Sequence, residues 1–239
     1  MDFSTSSTLR DVFVTGSTGY IGRRLIEALF ARGHRVRALV RAESAGRAPA
    51  GATAVVGNAL DASTFAPAVT AADTIVHLVG TPHPSPSKAA EFQRIDLPSI
   101  LASVEAARRA GAAHLVYVSV AHPAPVMEAY IEVRSAGERA IQEAGLTATI
   151  LRPWYVLGPG HRWPYLLVPF YAIARLIPSK RESAERLGLV TLRQMVDALV
   201  RAVENPPPAG TIRIVEVPAI RGGLSRRSAK REGGLGSAP

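Results

Sequence analysis

The sequence predicts an α/β protein built on a parallel, doubly wound sheet, and three observations carry that expectation. The first is the stretch Val12 to Gly22, VFVTGSTGYIG, in which a short apolar run leads into glycines at 16, 19 and 22. Such a run, with no polar alternation, suits a strand buried on both faces. The second is the stripe Ile21, Leu25 and Leu29, the four-residue repeat of a helix packed on a sheet. The third is repetition. Strand-length apolar runs alternate with helix-length amphipathic runs along most of the chain, the pattern of successive parallel βα units.

Strand, glycine turn and helix together form the front half of a dinucleotide-binding unit. Gly16 permits the tight turn, Gly19 lets backbone amides approach a pyrophosphate, and Gly22 lets the helix lie near the strand. Phosphates then rest on amides at the positive end of the helix, from Ser17 and Thr18 through Tyr20, Ile21 and Gly22. The spacing is GxxGxxG rather than the GxGxxG of the general fingerprint. Glycines alone also mark ordinary turns, so the flanking strand and helix carry the inference.

Met1 to Thr8 are rich in Ser and Thr and are expected to be loose. Gly33 is placed to cap the first helix, and Arg35 to Val40 supply a second strand. The residue after that strand chooses between cofactors, because an acid there holds a ribose hydroxyl and repels a 2′-phosphate. Here it is Arg41, about twenty residues past the glycine turn, with Arg47 a little further on. A guanidinium fork suits phosphate, so NADP is expected over NAD.

Ala54 to Val56 read as a third strand, with Asp61 and Ser63 as helix starters. Asp73 to Gly80 form the fourth strand, with His77 read as a packed core residue. The proline-rich loop Thr81 to Ser87 follows at its carboxyl end, where ligands bind in open α/β sheets. A long helix from Glu91 to Ala110, capped by Gly111, leads to a strand at His114 to Ser119. Val126 to Ala144, ended by Gly145, form the next helix, and Thr147 to Leu151 the sixth strand. A helix at Leu192 to Glu204 and a strand at Ile212 to Val217 close the domain. Residues 1–221 are thus expected to form one domain, with 158–190 as a small C-terminal segment on the substrate side. Within that segment the apolar stretch Trp163 to Pro178 reads as a lid, a dimer surface or an interfacial helix. Pro169 interrupts a clean amphipathic helix there, which favours a lid or packing over contact with a membrane surface. The Gly/Ser/Arg-rich end at 222–239 has nothing to bury and is expected to be disordered.

Composition narrows the function classes. Hydrophobic residues make up 47% of 239, enough for one domain with a full core. The absence of cysteine excludes disulfides and thiolate metal sites, and histidines and carboxylates show no metal-ligand spacing, so no metal is expected. The net charge is +9, but five cations from Arg221 onward stand against Glu232 alone. The rest fits an anionic cofactor, and nucleic acid is not expected as a partner. With no basic, then apolar leader at the start, a cytoplasmic location is expected.

TGSTGYIG, beginning at Thr15, resembles the short-chain dehydrogenase/reductase superfamily. The similarity is greatest to its extended and atypical branches: sugar-nucleotide epimerases, NmrA-like NADP sensors and a nucleotide-holding accessory subunit of respiratory complex I. It extends to about Arg221 and implies the Rossmann fold. Gly57-Asn58-Ala59-Leu60 is similar to the family's adenine-contacting loop, with Asn58 where Asp is usual. The resemblance places Val79 and Gly80 beside the nicotinamide ribose, and Arg152-Pro153 over the nicotinamide end. It also implies a catalytic group. In the family a serine, and a tyrosine followed four residues later by lysine, line the nicotinamide, with the tyrosine exchanging a proton. Here these positions are Ser119, Tyr130 and Arg134, so arginine replaces lysine. Arginine keeps the positive charge but differs in bulk and geometry. Two readings of the pair stand: proton exchange at Tyr130, or a packing tyrosine with Arg134 as a surface or ribose contact.

The expected function is hydride transfer to or from a small carbonyl or alcohol, or epimerase-like chemistry, by a monomer or homodimer using NADP. The alternative is a non-catalytic NADP(H)-binding redox sensor or assembly module, which the loss of the family lysine favours.

Overall fold

The computed structural model describes residues 9–71, 73–124, 126–158 and 188–222. Seven parallel strands form one sheet: β1 (Asp11–Thr15), β2 (Arg35–Val40), β3 (Thr53–Val56), β4 (Asp73–His77), β5 (His114–Val118), β6 (Ala148–Arg152) and β9 (Ile212–Glu216). Their order is β3-β2-β1-β4-β5-β6-β9. The chain winds outward from β1 in one direction, then returns to start β4 on its other side. That reversal opens a crevice at the carboxyl ends of β1 and β4, where Thr15 is in register with His77. Two further strands, β7 (Tyr155–Leu157) and β8 (Leu189–Thr191), pair in parallel as a separate ribbon.

Side chains of β1 alternate between two cores, as the pleat requires. Val12 and Val14 join α1 (Tyr20–Phe30) through Leu25, Ile26 and Leu29 on one face. The same core takes in Met195, Leu199 and Val203 of a later helix, α5 (Leu192–Glu204). Phe13 faces the other way, onto Phe65 and Ile100. That second face is covered by α3 (Leu97–Ala110) and α4 (Glu128–Glu143). A helix layer on each side is why the central strands read as unbroken apolar runs.

The helix ends follow their local chemistry. Gly33 (φ 83°) closes α1, with its amide on Phe30 O and that of His34 on Leu29 O. Gly111 (φ 60°) ends α3 in the same left-handed conformation. Thr191 and Gln194 cap α5 reciprocally.

Three helices depart from the sequence expectation. The helix expected from Glu91 is a composite: α2 (Ala89–Glu91), a π-helical turn (Phe92–Asp96), then α3. Met127 is left-handed (φ 66°), so α4 starts at Glu128 rather than Val126. A last helix, α6 (Val217–Gly222), follows β9 directly. The Ser/Thr-rich start at 1–8, the 163–178 stretch and the basic end from 223 lie outside the described residues.

Candidate active site at the carboxyl edge of the sheet

The glycine turn is built so tightly that side chains are excluded at Gly16 and Gly22. Gly16 has φ 69°, and a Cβ there would lie 2.8 Å from the carbonyl carbon of Leu78. A Cβ on Gly22 would collide with Gly16 O and lie 2.9 Å from Ser17 O, both backbone atoms. The turn is closed by the Gly19 amide on Gly16 O at 3.0 Å. Buried Ser17 donates its hydroxyl to Leu39 O at 2.7 Å, tying the turn to β2. After it, α1 begins with no capping side chain and no acid in its first turn. Tyr20 and Ile21 open the helix, both half-buried. Here the positive end of a helix meets the crevice without a protein carboxylate in its first turn.

Arg41 follows β2 as the cap of a 3-10 turn (Ala42–Arg47). Its side chain is 70% exposed, and its Nε lies 3.2 Å from the Glu43 carboxylate. Arg47 donates to Ser44 Oγ at 2.7 Å. Arg23 bridges the two turns, from Nε to Thr18 O at 3.0 Å and from Nη2 to Arg47 O at 3.4 Å. Asn58 is exposed after β3, and its side-chain oxygen accepts the Leu60 amide at 3.0 Å. Ala59 beside it is half-buried, as are Val79 and Gly80 past β4.

Tyr130 and Arg134 share a face of α4. The Arg134 guanidinium carbon stands 5.0 Å from the centre of the Tyr130 ring, and Phe92 packs on the same ring at 4.9 Å. Arg134 itself is 5% exposed. Its Nη2 donates to Asp96 Oδ1 at 2.7 Å and its Nη1 to Val118 O at 3.1 Å. Burial alone would lower the Arg134 pKa; Tyr130, Tyr117 and Asp96 outweigh that and raise it. The other oxygen of Asp96 accepts the Thr81 amide at 2.9 Å and the Thr81 hydroxyl at 2.6 Å. A side chain on Gly80 would strike the guanidinium, so that glycine makes room for the ion pair.

Ser119 is buried past β5 and donates its hydroxyl to Glu138 Oε1 at 2.5 Å. Arg152 grips the same carboxylate through Nε at 3.0 Å and reaches Glu216 through Nη1 at 3.2 Å. Pro153 is buried, its carbonyl accepting the Ala121 amide at 2.9 Å. His77 has no exposed surface; its Nδ1 meets Thr15 Oγ1 at 3.1 Å and Ser103 Oγ at 2.9 Å. Burial, with the Arg134 charge added, pushes its pKa down to about 3, as suits a neutral core residue.

The fold therefore brings Tyr130 and Arg134 together, and holds Ser119 and Arg152 on one carboxylate. Asp96 is the residue that sequence reasoning missed. Its signal was present: Phe92, Asp96 and Ile100 are four apart, which sets an acid on an otherwise apolar stripe. Among the described residues no group of three or more His, Cys, Asp or Glu could hold a metal ion. No helix there is long and apolar enough to cross a membrane.

Comparison with known proteins bears on the family and the fold. The chain is 35% identical over 175 residues to a 3-diazoavenalumate denitrifying reductase from a Streptomyces species, covering 62% of this chain and 57% of that protein. It is 27% identical over 212 residues to a ceramide reductase from Caulobacter vibrioides, covering 88% and 65%. The chain thus spans somewhat under two thirds of the length of these relatives. Among solved structures, a short-chain dehydrogenase/reductase superfamily protein from Agrobacterium tumefaciens with bound NAD superposes with a TM-score of 0.63 at 18% identity, covering 87% of this chain and 77% of that one. The UDP-N-acetylglucosamine 4-epimerase from Bacillus cereus gives 0.62 at 18%, covering 87% and 79%. At those identities the likeness shows the fold alone. The model of a family described as NAD(P)H-binding matches residues 16–162, more than half of the chain, and this protein belongs to that family, with the Rossmann fold that those solved structures share.

Proposed function

We propose that this chain is an NADP(H)-dependent oxidoreductase acting on a small carbonyl or alcohol, or by related epimerase-like chemistry. The observation that carries the reading is the shared edge: the glycine turn opens at the β1–β4 crevice, and Tyr130 stands on the helix that follows β5. The cradle fits a dinucleotide phosphate, because Gly16 and Gly22 leave no room for Cβ atoms and its helix starts without an acid. Ser17 to Gly22 would hold the pyrophosphate, Arg41 the 2′-phosphate, and Asn58 to Leu60 the adenine. Val79, Gly80, Arg134 and Pro153 would stand on the nicotinamide side. When bound, the nicotinamide supplies or accepts the hydride. Tyr130 would give the substrate oxygen its proton or take it away, with Ser119 beside the same oxygen. We assign the substrate side to residues 158–190, which begin and end at the β7–β8 ribbon.

A second reading has a specific observation in its favour. The Ser119 hydroxyl already donates to Glu138 and the Arg134 guanidinium is already paired with Asp96, so both have partners within the protein. A binding module that senses NADP(H) without turnover needs neither. The test is a titration with NADPH and NADH, followed by NADPH consumption against a broad panel of small carbonyl compounds. Tight, NADP-selective binding with consumption supports the oxidoreductase. Tight binding with none across the panel favours the sensor, and no binding of either nucleotide rejects both.

A further inference from the structure

The carboxylate of Asp96 holds a place that neither the proposed proton exchange nor the nucleotide site uses. It is 1% exposed and is bonded through both oxygens: Oδ1 to Arg134, and Oδ2 to the amide and hydroxyl of Thr81. It also ends the π-helical turn whose first residue, Phe92, packs on Tyr130. Phe92 and Asp96 thus meet Tyr130 and Arg134 as two facing pairs, each with a spacing of four. A π-turn is an unusual local cost, often found where side chains must be re-aimed for function.

Resting on the reading of Tyr130 as proton carrier, we propose that Asp96 is a positioning residue that sets the charge Tyr130 feels by neutralising Arg134. A lone guanidinium 5.0 Å from the ring favours tyrosinate, and the Asp96 carboxylate 2.7 Å from the same guanidinium offsets part of that charge. Among the described residues, the other titratable or charged groups that act on the pair are Tyr117 on β5, His77 on β4 and Glu138 one turn further along α4. Tyr117 and His77 are fully buried, and burial holds both in their neutral forms. Glu138 is engaged by Arg152. Asp96 is therefore the charge that offsets Arg134 directly. Because Oδ2 also pins Thr81, the same carboxylate fixes where the 81–88 loop leaves the sheet.

The experiment follows the titration of Tyr130 in the full chain by NMR of ring-labelled tyrosine, with Tyr130→Phe identifying the signal. Asp96→Asn keeps an acceptor for Thr81 and removes the charge, so the midpoint is expected to fall by about one pH unit from wild type. Should Asp96→Asn fail to fold, the same charge is isolated without Arg134. Arg134→Gln leaves Asp96 on Thr81, and its midpoint should lie about one unit above that of Arg134→Gln/Asp96→Asn. A midpoint that Asp96 does not move in the comparison made overturns the proposal. This readout needs no turnover, so failure to find a substrate would count against the oxidoreductase reading and leave the Asp96 result standing. Where turnover is found, kcat of Asp96→Asn should shift its pH profile in the same direction, with the KM for NADPH little changed.

Discussion

Ser119 and Arg152 meet on one carboxylate: Glu138 Oε1 accepts the serine hydroxyl at 2.5 Å and the arginine Nε at 3.0 Å. Three successive units of the fold, β5, α4 and β6, are tied there, and Arg152 extends the tie to Glu216 of β9. The side chains of Glu138 and Arg152 are only 12% and 18% exposed, so this is an interior pair. The Glu138 bond, burial opposing it, holds the Arg152 guanidinium above its ordinary pKa.

Glu138→Ala should therefore cost more than a surface ion pair. It strands Arg152 with a single carboxylate and leaves the buried Ser119 hydroxyl seeking an acceptor. A loss of about 2–4 kcal/mol is expected, below the top of the range for breaking a buried pair because Glu216 remains. Urea unfolding of Glu138→Ala and Glu138→Gln measures it, and Gln should recover part of the loss by still accepting from Ser119. A loss within about 0.5 kcal/mol for Ala, the surface range, would show that the network is not structural.

Arg41 provides the second prediction. Its side chain is exposed and meets Glu43 at 3.2 Å, a surface pair worth little by itself. Replacing that partner with a phosphate dianion should be favourable. Arg41→Ala is expected to weaken NADP(H) binding by roughly 1.5–3 kcal/mol, the range for hydrogen bonds to charged groups, and to leave NAD(H) unchanged. Dissociation constants for both nucleotides check it, and an undiminished NADP preference in the variant would remove Arg41 from the site.

Much of this architecture could be read from the chain because its signals are local. A strand, three glycines and an amphipathic helix lie within twenty residues, and the structure forms β1, the turn and α1 there. The sheet followed from the same logic, since strands buried on both faces carry their pattern in every residue. What escaped was non-local or too short. The Arg134–Asp96 pair joins residues 38 apart, and Asp96 sits in a helical stretch whose π-turn has no sequence signature of its own. The β7–β8 ribbon has three residues in each strand, too few to show alternation. The short α6 had only Pro218 in its first turn to mark it.

The buried histidines make stability depend on pH in a defined window. Burial pushes His77 down to about 3 and His114 to about 4, against an ordinary value of 6.5. Both folded values lie below the unfolded one, so between them the unfolded chain binds more protons. The stability contributed by keeping these rings neutral is full above pH 6.5 and is lost as pH falls toward 4 and then 3. Each ring adds a slope of up to about 1.4 kcal/mol per pH unit. His77→Gln should flatten the dependence by one proton's worth while lowering stability at neutral pH, because Thr15 and Ser103 lose a partner. Urea midpoints at neutral pH and near pH 5 measure both effects. A slope identical in wild type and variant would mean that His77 does not titrate differently on unfolding.

The last prediction concerns the hydroxyl of Tyr130. Its ring is held between Phe92 and the Arg134 guanidinium, contacts that Phe would keep. Tyr130→Phe should therefore fold and bind NADPH much as wild type does. If Tyr130 carries the proton, turnover should fall by roughly 10²–10⁴, the usual worth of a positioned acid–base group. Arg134→Lys separates charge from geometry, because an ammonium can still pair with Asp96 but gives up the fork that also reaches Val118 O. That variant should lose about 1 kcal/mol of stability, the net worth of one hydrogen bond, and keep or raise turnover by restoring the family's lysine. Steady-state rates with the first carbonyl compound that supports NADPH consumption, set beside unfolding curves for both variants, decide the matter. Undiminished turnover in Tyr130→Phe would take Tyr130 out of the mechanism. Lost turnover in a stable Arg134→Lys would mean that the fork, rather than the charge, is what this site requires.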